Sequence, residues 1–351
     1  MKISDIDANL KVETNLDLED VVWIDVHKEP FKIYGFYDSE NFTRLPKDVA
    51  MTGNDSIKNL YTNTSGGRVR FSTNSPYIAI KAKLPNVCHL SHMSLQGTSG
   101  FDLYCDTENK STFQKSFIPD GDILKSYESV AYCDDSKVNF YTIYFPLYNN
   151  LTSLYIGIKK GSILEKGVSY KDELPLVFYG SSITQGAVAS RAGGGYVNMV
   201  SRYLNTDILN LGFSGGCKGE KSISEYMATI KMRLFILDYD YNAVTAEDLK
   251  ATHFSVYENI RKKNPTLPIL MVSRGDSPLY SDTILRREII KNSYEKAVNL
   301  GDENVYFLNG ALLFEGEFAD SCTVDGTHPN DLGFYRMAIT IGNEIKKILA
   351  K

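Results

Sequence analysis

At 351 residues, 43% apolar and 23% charged, the chain has the make-up of an ordinary globular protein with room for two domains. A net charge of −5, with Lys and Arg scattered, argues against a nucleic-acid surface. No apolar run approaches the ~20 residues needed to cross a bilayer, so no membrane partner is expected.

The N-terminal stretch Met1–Asp7 lacks the continuous apolar core of a signal peptide. From about residue 20 to 165 follow short, alternating, aromatic-rich segments: 67–72, 77–82, 139–145 and 153–158. Period-two patterns at this spacing, punctuated by Pro119-Asp120-Gly121-Asp122 and Asn149-Asn150, predict antiparallel strands in a sandwich without amphipathic helices. After the polar stretch Lys159–Glu173 the pattern changes. Apolar strands are expected at Leu176–Tyr179, Ile208–Leu211, Leu234–Leu237, Ile269–Val272 and Val305–Leu308, with helices between them. One helix opens at the capping-type sequence Thr245-Ala246-Glu247-Asp248, and another ends at Gly301. Unalternating strands that each precede a helix predict a parallel sheet covered on both faces. The chain therefore divides near residue 170, into a β-sandwich (1–170) and a doubly wound α/β domain (171–351).

In such sheets, sites gather beyond the carboxyl ends of the strands. Gly180-Ser181-Ser182 follows the first strand, Gly212-Phe213-Ser214-Gly215-Gly216 the second and Asp240-Tyr241-Asn242 the third; Asp325-Gly326-Thr327-His328-Pro329 lies in the loop after the fifth. A serine oxygen needs a neighbouring base, and the base needs a group to orient it. A serine after the first strand, His328 and Asp325 supply that set. Of the five histidines, His27, His89 and His92 belong to the sandwich half and His253 lies within a helix, which leaves His328 as base. The glycine turn offers backbone N–H groups for an oxyanion, and Asn242 an amide. Each segment also has a plainer reading: the serines as helix caps, the glycines as turn formers, Asn242 as a helix cap or strand terminator, Asp325 and His328 as stabilisers of a turn.

These four blocks resemble the SGNH, or GDSL-like, esterase superfamily, whose members carry a nucleophilic Ser, an oxyanion Gly, an oxyanion Asn and a base His in separated blocks. The resemblance implies a flavodoxin-like, three-layer α/β domain with five parallel strands, Ser182 as nucleophile, Gly215 and Asn242 as oxyanion donors and His328 as base. Ser181 stands where the family usually has an acidic residue, and the third block lacks its customary glycine and following aspartate. Gly100-Phe101-Asp102-Leu103-Tyr104 resembles the signature of a jelly-roll-like module found before some of these esterases.

The expected activity is hydrolysis of small acyl esters, acetyl on a carbohydrate above all, with a small-molecule or oligosaccharide ester as substrate. No metal or other cofactor is expected, since no Cys/His spacing suggests one. Arg191, Arg274 and Trp23 are candidates for substrate binding, Trp23 also for packing. Two other readings stand beside this one: an esterase or thioesterase for lipid-like acyl chains, and a carbohydrate-binding protein that has lost activity. Five cysteines (Cys88, Cys105, Cys133, Cys217, Cys322), odd in number and without paired spacing, point to free thiols and a cytoplasmic setting.

Overall fold

The computed structural model describes residues 16–351 apart from 109, 122–124, 173 and 278. Met1–Asp7, Asp122 and Glu173 of the sequence reading lie outside the described residues. Two compact units emerge, and the chain passes from one to the other at Ser169/Tyr170. They differ from a contiguous division by two exchanged segments: Thr43–Tyr61 belongs to the second unit and Arg191–Gly193 to the first.

The first unit is built on two antiparallel sheets. Strands β1 (Val21–Asp25), β4 (Tyr77–Lys83), β7 (Ser126–Tyr132) and β9 (Ser153–Lys159) form one, in the order β1-β9-β4-β7. The other runs β10-β3-β8-β5-β6, with β3 (Arg68–Thr73), β5 (Phe101–Asp106), β6 (Ser111–Phe117), β8 (Asn139–Tyr144) and β10 (Leu164–Lys166); β2 (Lys32–Tyr34) pairs with β3. Period two does the sorting. Ile78, Ile80 and Ala82 of β4 enter the main core with Phe71, Leu103, Ile143 and Ile156, while Tyr77 and Ala79 face the other way.

The second unit carries five parallel strands, β11 (Leu176–Gly180), β12 (Ile208–Gly212), β13 (Leu234–Asp238), β14 (Ile269–Val272) and β15 (Val305–Leu308), in the order β12-β11-β13-β14-β15. This is the flavodoxin-like α/β arrangement. Its helices include α4 (Ser182–Gln185), α5 (Tyr196–Leu204), α6 (Lys221–Met227), α7 (Ala246–Lys263), α8 (Thr283–Asn299) and α9 (Asp331–Leu349). Thr245 and Asp248 close the expected capping box on α7.

Contrary to the expectation of an all-strand N-terminal half, three short helices occur there: α1 (Lys47–Ala50), α2 (Asp55–Leu60) and α3 (Leu95–Ser99). Each is too short to develop a 3.6-residue period, and the local caps Asn54 and Ser94 hold α2 and α3. Helices α1 and α2 lie in the exchanged segment, where Leu45, Ala50 and Ile57 join the core of the second unit with Val177, Leu211, Phe213 and Leu237. No helix among the described residues is long and apolar enough to cross a membrane.

Candidate active site

Parallel pairing sets Gly180, Gly212 and Asp238 on one line at the carboxyl edge of the sheet. Gly180 makes the sharp exit from β11 possible, since a Cβ there would lie 1.9 Å from Thr184 Oγ1. Ser181 caps the single turn of α4, its Oγ accepting from the Ile183 N–H at 3.2 Å. Ser182 is then the first residue of that turn, with 8% of its surface exposed.

Ser182 Oγ lies 3.0 Å from His328 Nε2. The other ring nitrogen, Nδ1, lies 2.8 Å from Asp325 Oδ2. Asp325 also accepts from the backbone N–H groups of His328 (2.7 Å) and Thr327 (2.9 Å) through Oδ1, so one carboxylate shapes the turn and aims the ring. Partial burial pushes the Asp325 carboxyl up, but the His328 N–H, the His328 ring and the Thr327 N–H outweigh it and hold it below the ordinary carboxylate value. Asn330 then caps α9 by accepting from Leu332 and Gly333. An ionised carboxylate, an imidazole and a hydroxyl thus stand in line.

Gly215 has φ +64°, and its N–H meets no acceptor among the described residues. Asn242 closes a 3₁₀ turn after β13, and its Nδ2 donates to the Phe213 carbonyl at 3.0 Å. That bond fixes which way the amide faces and leaves its second hydrogen for another acceptor. Phe213 is the hub of the turn: its N–H donates to the Gly180 carbonyl and its own carbonyl also accepts from the Gly216 N–H. Gln185 Oε1 accepts from the Ser214 N–H at 3.0 Å, tying α4 to the same turn.

Of the three substrate-binding candidates, Arg274 belongs to the second unit, and Arg191 and Trp23 to the first. Arg274 is 3% exposed; its Nε donates to Asp240 Oδ1 at 3.0 Å, and its guanidinium stacks on Tyr241 and Tyr280. It still borders a cavity of about 380 Å³ with Gly215, Asn242, Lys218 and Tyr280. Arg191 lies in the first unit, where Nη1 donates to Asp102 Oδ2 at 2.7 Å and to the Tyr104 hydroxyl, with Phe113 under its guanidinium. The Gly193 N–H reaches the same Asp102 oxygen at 2.8 Å. The Gly-x-Asp-Leu-Tyr segment therefore receives residues 191–193. Trp23 packs on the outward face of the four-stranded sheet with Tyr77, Ala79 and Val130, and Lys81 lies over its ring.

Sequence reasoning missed the support beneath α4. Asp238 is buried at the end of β13 and accepts from the Tyr196 hydroxyl (2.6 Å) and Thr184 Oγ1 (3.1 Å). An acidic residue ending a buried apolar strand was the available signal. His253, within α7, is buried and stacked on Tyr239, and neither ring nitrogen has a hydrogen-bond partner among the described residues. Burial pushes its pKa down to about 3, so it stays neutral.

Residues 173–346 match the model of the GDSL-like lipase/acylhydrolase family, and residues 21–164 match the module described as the N-terminus of SGNH-hydrolase-type esterases. A solved structure described as a GDSL-like lipase from Bacteroides ovatus is 30% identical, with a TM-score of 0.85, over 94% of this chain and 98% of its own. A salicylyl-acyltransferase from a tetracycline biosynthetic pathway shares the fold over 94% of this chain and 98% of its own, at 18% identity and a TM-score of 0.75. A family-two carbohydrate esterase from Clostridium thermocellum does so over 82% of this chain and 93% of its own, at 14% identity and a TM-score of 0.60. No curated protein matches the sequence.

Proposed function

The chain belongs to the GDSL-like lipase/acylhydrolase family, and from that premise we propose a serine esterase that removes small acyl groups, acetyl above all, from carbohydrate alcohols. The observation that carries the reading is the Ser182–His328–Asp325 line, at 3.0 and 2.8 Å. In this reading His328 takes the Ser182 proton as Oγ attacks the ester carbonyl, and Asp325 stabilises the imidazolium. The Gly215 N–H and the Asn242 amide receive the oxyanion. The tetrahedral adduct expels the alcohol, which collects its proton from His328. Water, deprotonated by His328, then releases the acid from the acyl-enzyme.

The cavity beside Gly215 and Asn242 supports a small polar substrate. Lys218, Tyr241, Arg274, Tyr280 and Asp282 border it, and a long alkyl chain would strand those groups without water. This favours acetyl over the lipid-chain reading. For the carbohydrate alcohol the support is fold likeness: the family-two carbohydrate esterase above, and an acetyl xylan esterase from Butyrivibrio proteoclasticus (14% identity, TM-score 0.57) that matches over 94% of this chain and 99% of its own. Cys88, Cys105, Cys133, Cys217 and Cys322 are all unbridged, which supports a reducing, cytoplasmic setting.

The test is turnover of an aryl acetate and of an acetylated oligosaccharide, with acyl length varied from acetate to octanoate. Ser182→Ala should lose ~10⁴-fold or more in kcat, while Ser181→Ala should lose little. A dead Ser181→Ala beside an active Ser182→Ala would sink the assignment. Preference for octanoate would favour the lipid reading, and no hydrolysis by the wild-type chain would favour the inactive binding protein.

A further inference from the structure

The turn that carries Gly215 is not held by the α/β half of the sequence alone. Arg44, from the exchanged segment Thr43–Tyr61, is fully buried within the second unit. Its Nη1 donates to the carbonyls of Asn210 (3.0 Å) and Gly212 (2.6 Å), at the carboxyl end of strand β12 before the glycine-rich stretch. Its Nη2 donates to the Leu60 carbonyl at 2.7 Å, and its guanidinium lies 4.3 Å from the centre of the Phe213 ring. One planar fork therefore fixes the end of β12, the ring of Phe213 and the segment's own exit.

Asn54 grips the other side of the same turn. Its Nδ2 donates to the Gly216 carbonyl at 2.7 Å and to Glu220 Oε1 at 2.6 Å. Ile57 packs beneath Gly216, where a Cβ would lie 3.0 Å from Ile57 Cγ1. Gly215 sits between these two grips, and Phe213, on which Arg44 stacks, is the residue whose carbonyl aims the Asn242 amide. Both oxyanion donors are thus referred to one arginine. A guanidinium suits the task because it reaches several carbonyls in fixed directions while its flat face carries a ring.

We propose that Arg44 is the positioning residue of the oxyanion turn, with Asn54 as its second clamp. The proposal rests on the esterase reading above. Arg44 touches no reacting atom; it acts through Gly212 and Phe213 on where the two donors point. Misplaced donors weaken the transition state and leave ground-state binding nearly unchanged, so the loss should fall on kcat.

The experiment uses the full-length chain as wild type, Arg44→Met, Arg44→Lys and Asn54→Ser, the last keeping an oxygen to cap α2 while withdrawing the donor to Gly216. Circular dichroism establishes folding, and an aryl dialkyl phosphate counts reactive Ser182. With aryl acetate, kcat per reactive serine should fall by roughly 10–10²-fold in Arg44→Met, less in Arg44→Lys and least in Asn54→Ser, KM staying within about threefold. Affinity for methylboronic acid, whose adduct on Ser182 carries an anionic oxygen, should fall in parallel with kcat. A merely structural role would lower melting temperature and the number of reactive sites, with kcat per site unchanged. Should Arg44→Met fail to fold, Arg44→Lys and Asn54→Ser decide. Wild-type turnover per site in a folded variant, or a loss confined to KM, overturns the proposal. An inactive wild type would instead remove the esterase reading, and this inference with it.

Discussion

Two arginines end up in the unit that the rest of their half of the sequence does not form, and they are satisfied in opposite ways. Arg191 meets side chains: Asp102, the Tyr104 hydroxyl and the face of Phe113. Arg44 meets main-chain carbonyls, at Asn210, Gly212 and Leu60. The first contact leaves a trace in the sequence, because an acid and a tyrosine must be kept in a fixed order. The second leaves almost none, because every residue has a carbonyl. An exchanged segment is therefore readable only to the extent that its partner is a side chain.

The sharpest way to break this contrast is to remove one partner wholesale. Expressed as residues 171–351, the α/β half lacks Leu45, Ala50 and Ile57, all fully buried in its core. Burial of the Leu and Ile side chains alone is worth roughly 3–6 kcal/mol, against a usual total stability of about 5–15 kcal/mol. The fragment should lack a cooperative thermal transition and bind a hydrophobic dye, and a fusion restoring residues 43–61 should regain the transition and lose the dye binding. A cooperatively melting fragment 171–351 would mean that the segment merely rests on a core complete without it.

A smaller effect is expected at the other exchange. Arg191→Met leaves the buried Asp102 with Ser116 and the Gly193 N–H as donors. Breaking a buried pair from one side costs about 3–5 kcal/mol, here toward the lower end because Arg191 keeps 27% of its side chain in solvent. Denaturant titration of Arg191→Met, Asp102→Asn and the double variant should give a double loss well below the sum of the singles. Additive losses would mean that the two side chains act independently.

The same contrast explains how far the sequence could be read. All five parallel strands and their polar exits are legible, because a covered sheet writes itself as uninterrupted apolar runs and its edge as Gly, Ser, Asn and Asp. Ser182, Asp325 and His328 could be named together because each stands in a local block. Arg44 and Asn54 could not, since a buried arginine on carbonyls is written like any surface arginine. Arg191 and Arg274 differ again: their partners are side-chain acids, but Asp102 and Asp240 lie 89 and 34 residues away in the chain, outside any local block.

The smallest predicted effect concerns a carboxyl that, unlike Asp102, faces hydroxyls instead of a guanidinium. Burial pushes Asp238 up to about 7, against the downward pull of Tyr196 and Thr184. In the unfolded chain an aspartate titrates near ~3.9. Between those values the folded protein holds a proton that the unfolded chain has lost, so this group's contribution falls as pH rises from about 4 to about 7 and is level above. The melting temperature of Asp238→Asn, measured against wild type, should gain by a few degrees across that window. A constant difference would show the carboxyl ionised throughout in the folded state.

Asp325 and His328 are three residues apart, whereas Ser182 and His328 are 146 apart. The carboxylate and the imidazole are thus joined by a closure that needs almost no search, since the entropy of closing a loop grows with its length. Their pairing can form as soon as that turn does, early in folding and with little reference to the sheet. The seryl contact must await the ordering of most of the α/β half. On the proposed esterase reading, the moment at which refolding chains regain reactivity toward a phosphorylating agent marks one late, long-range event, and turns the hydroxyl of Ser182 into a clock for completion of the domain.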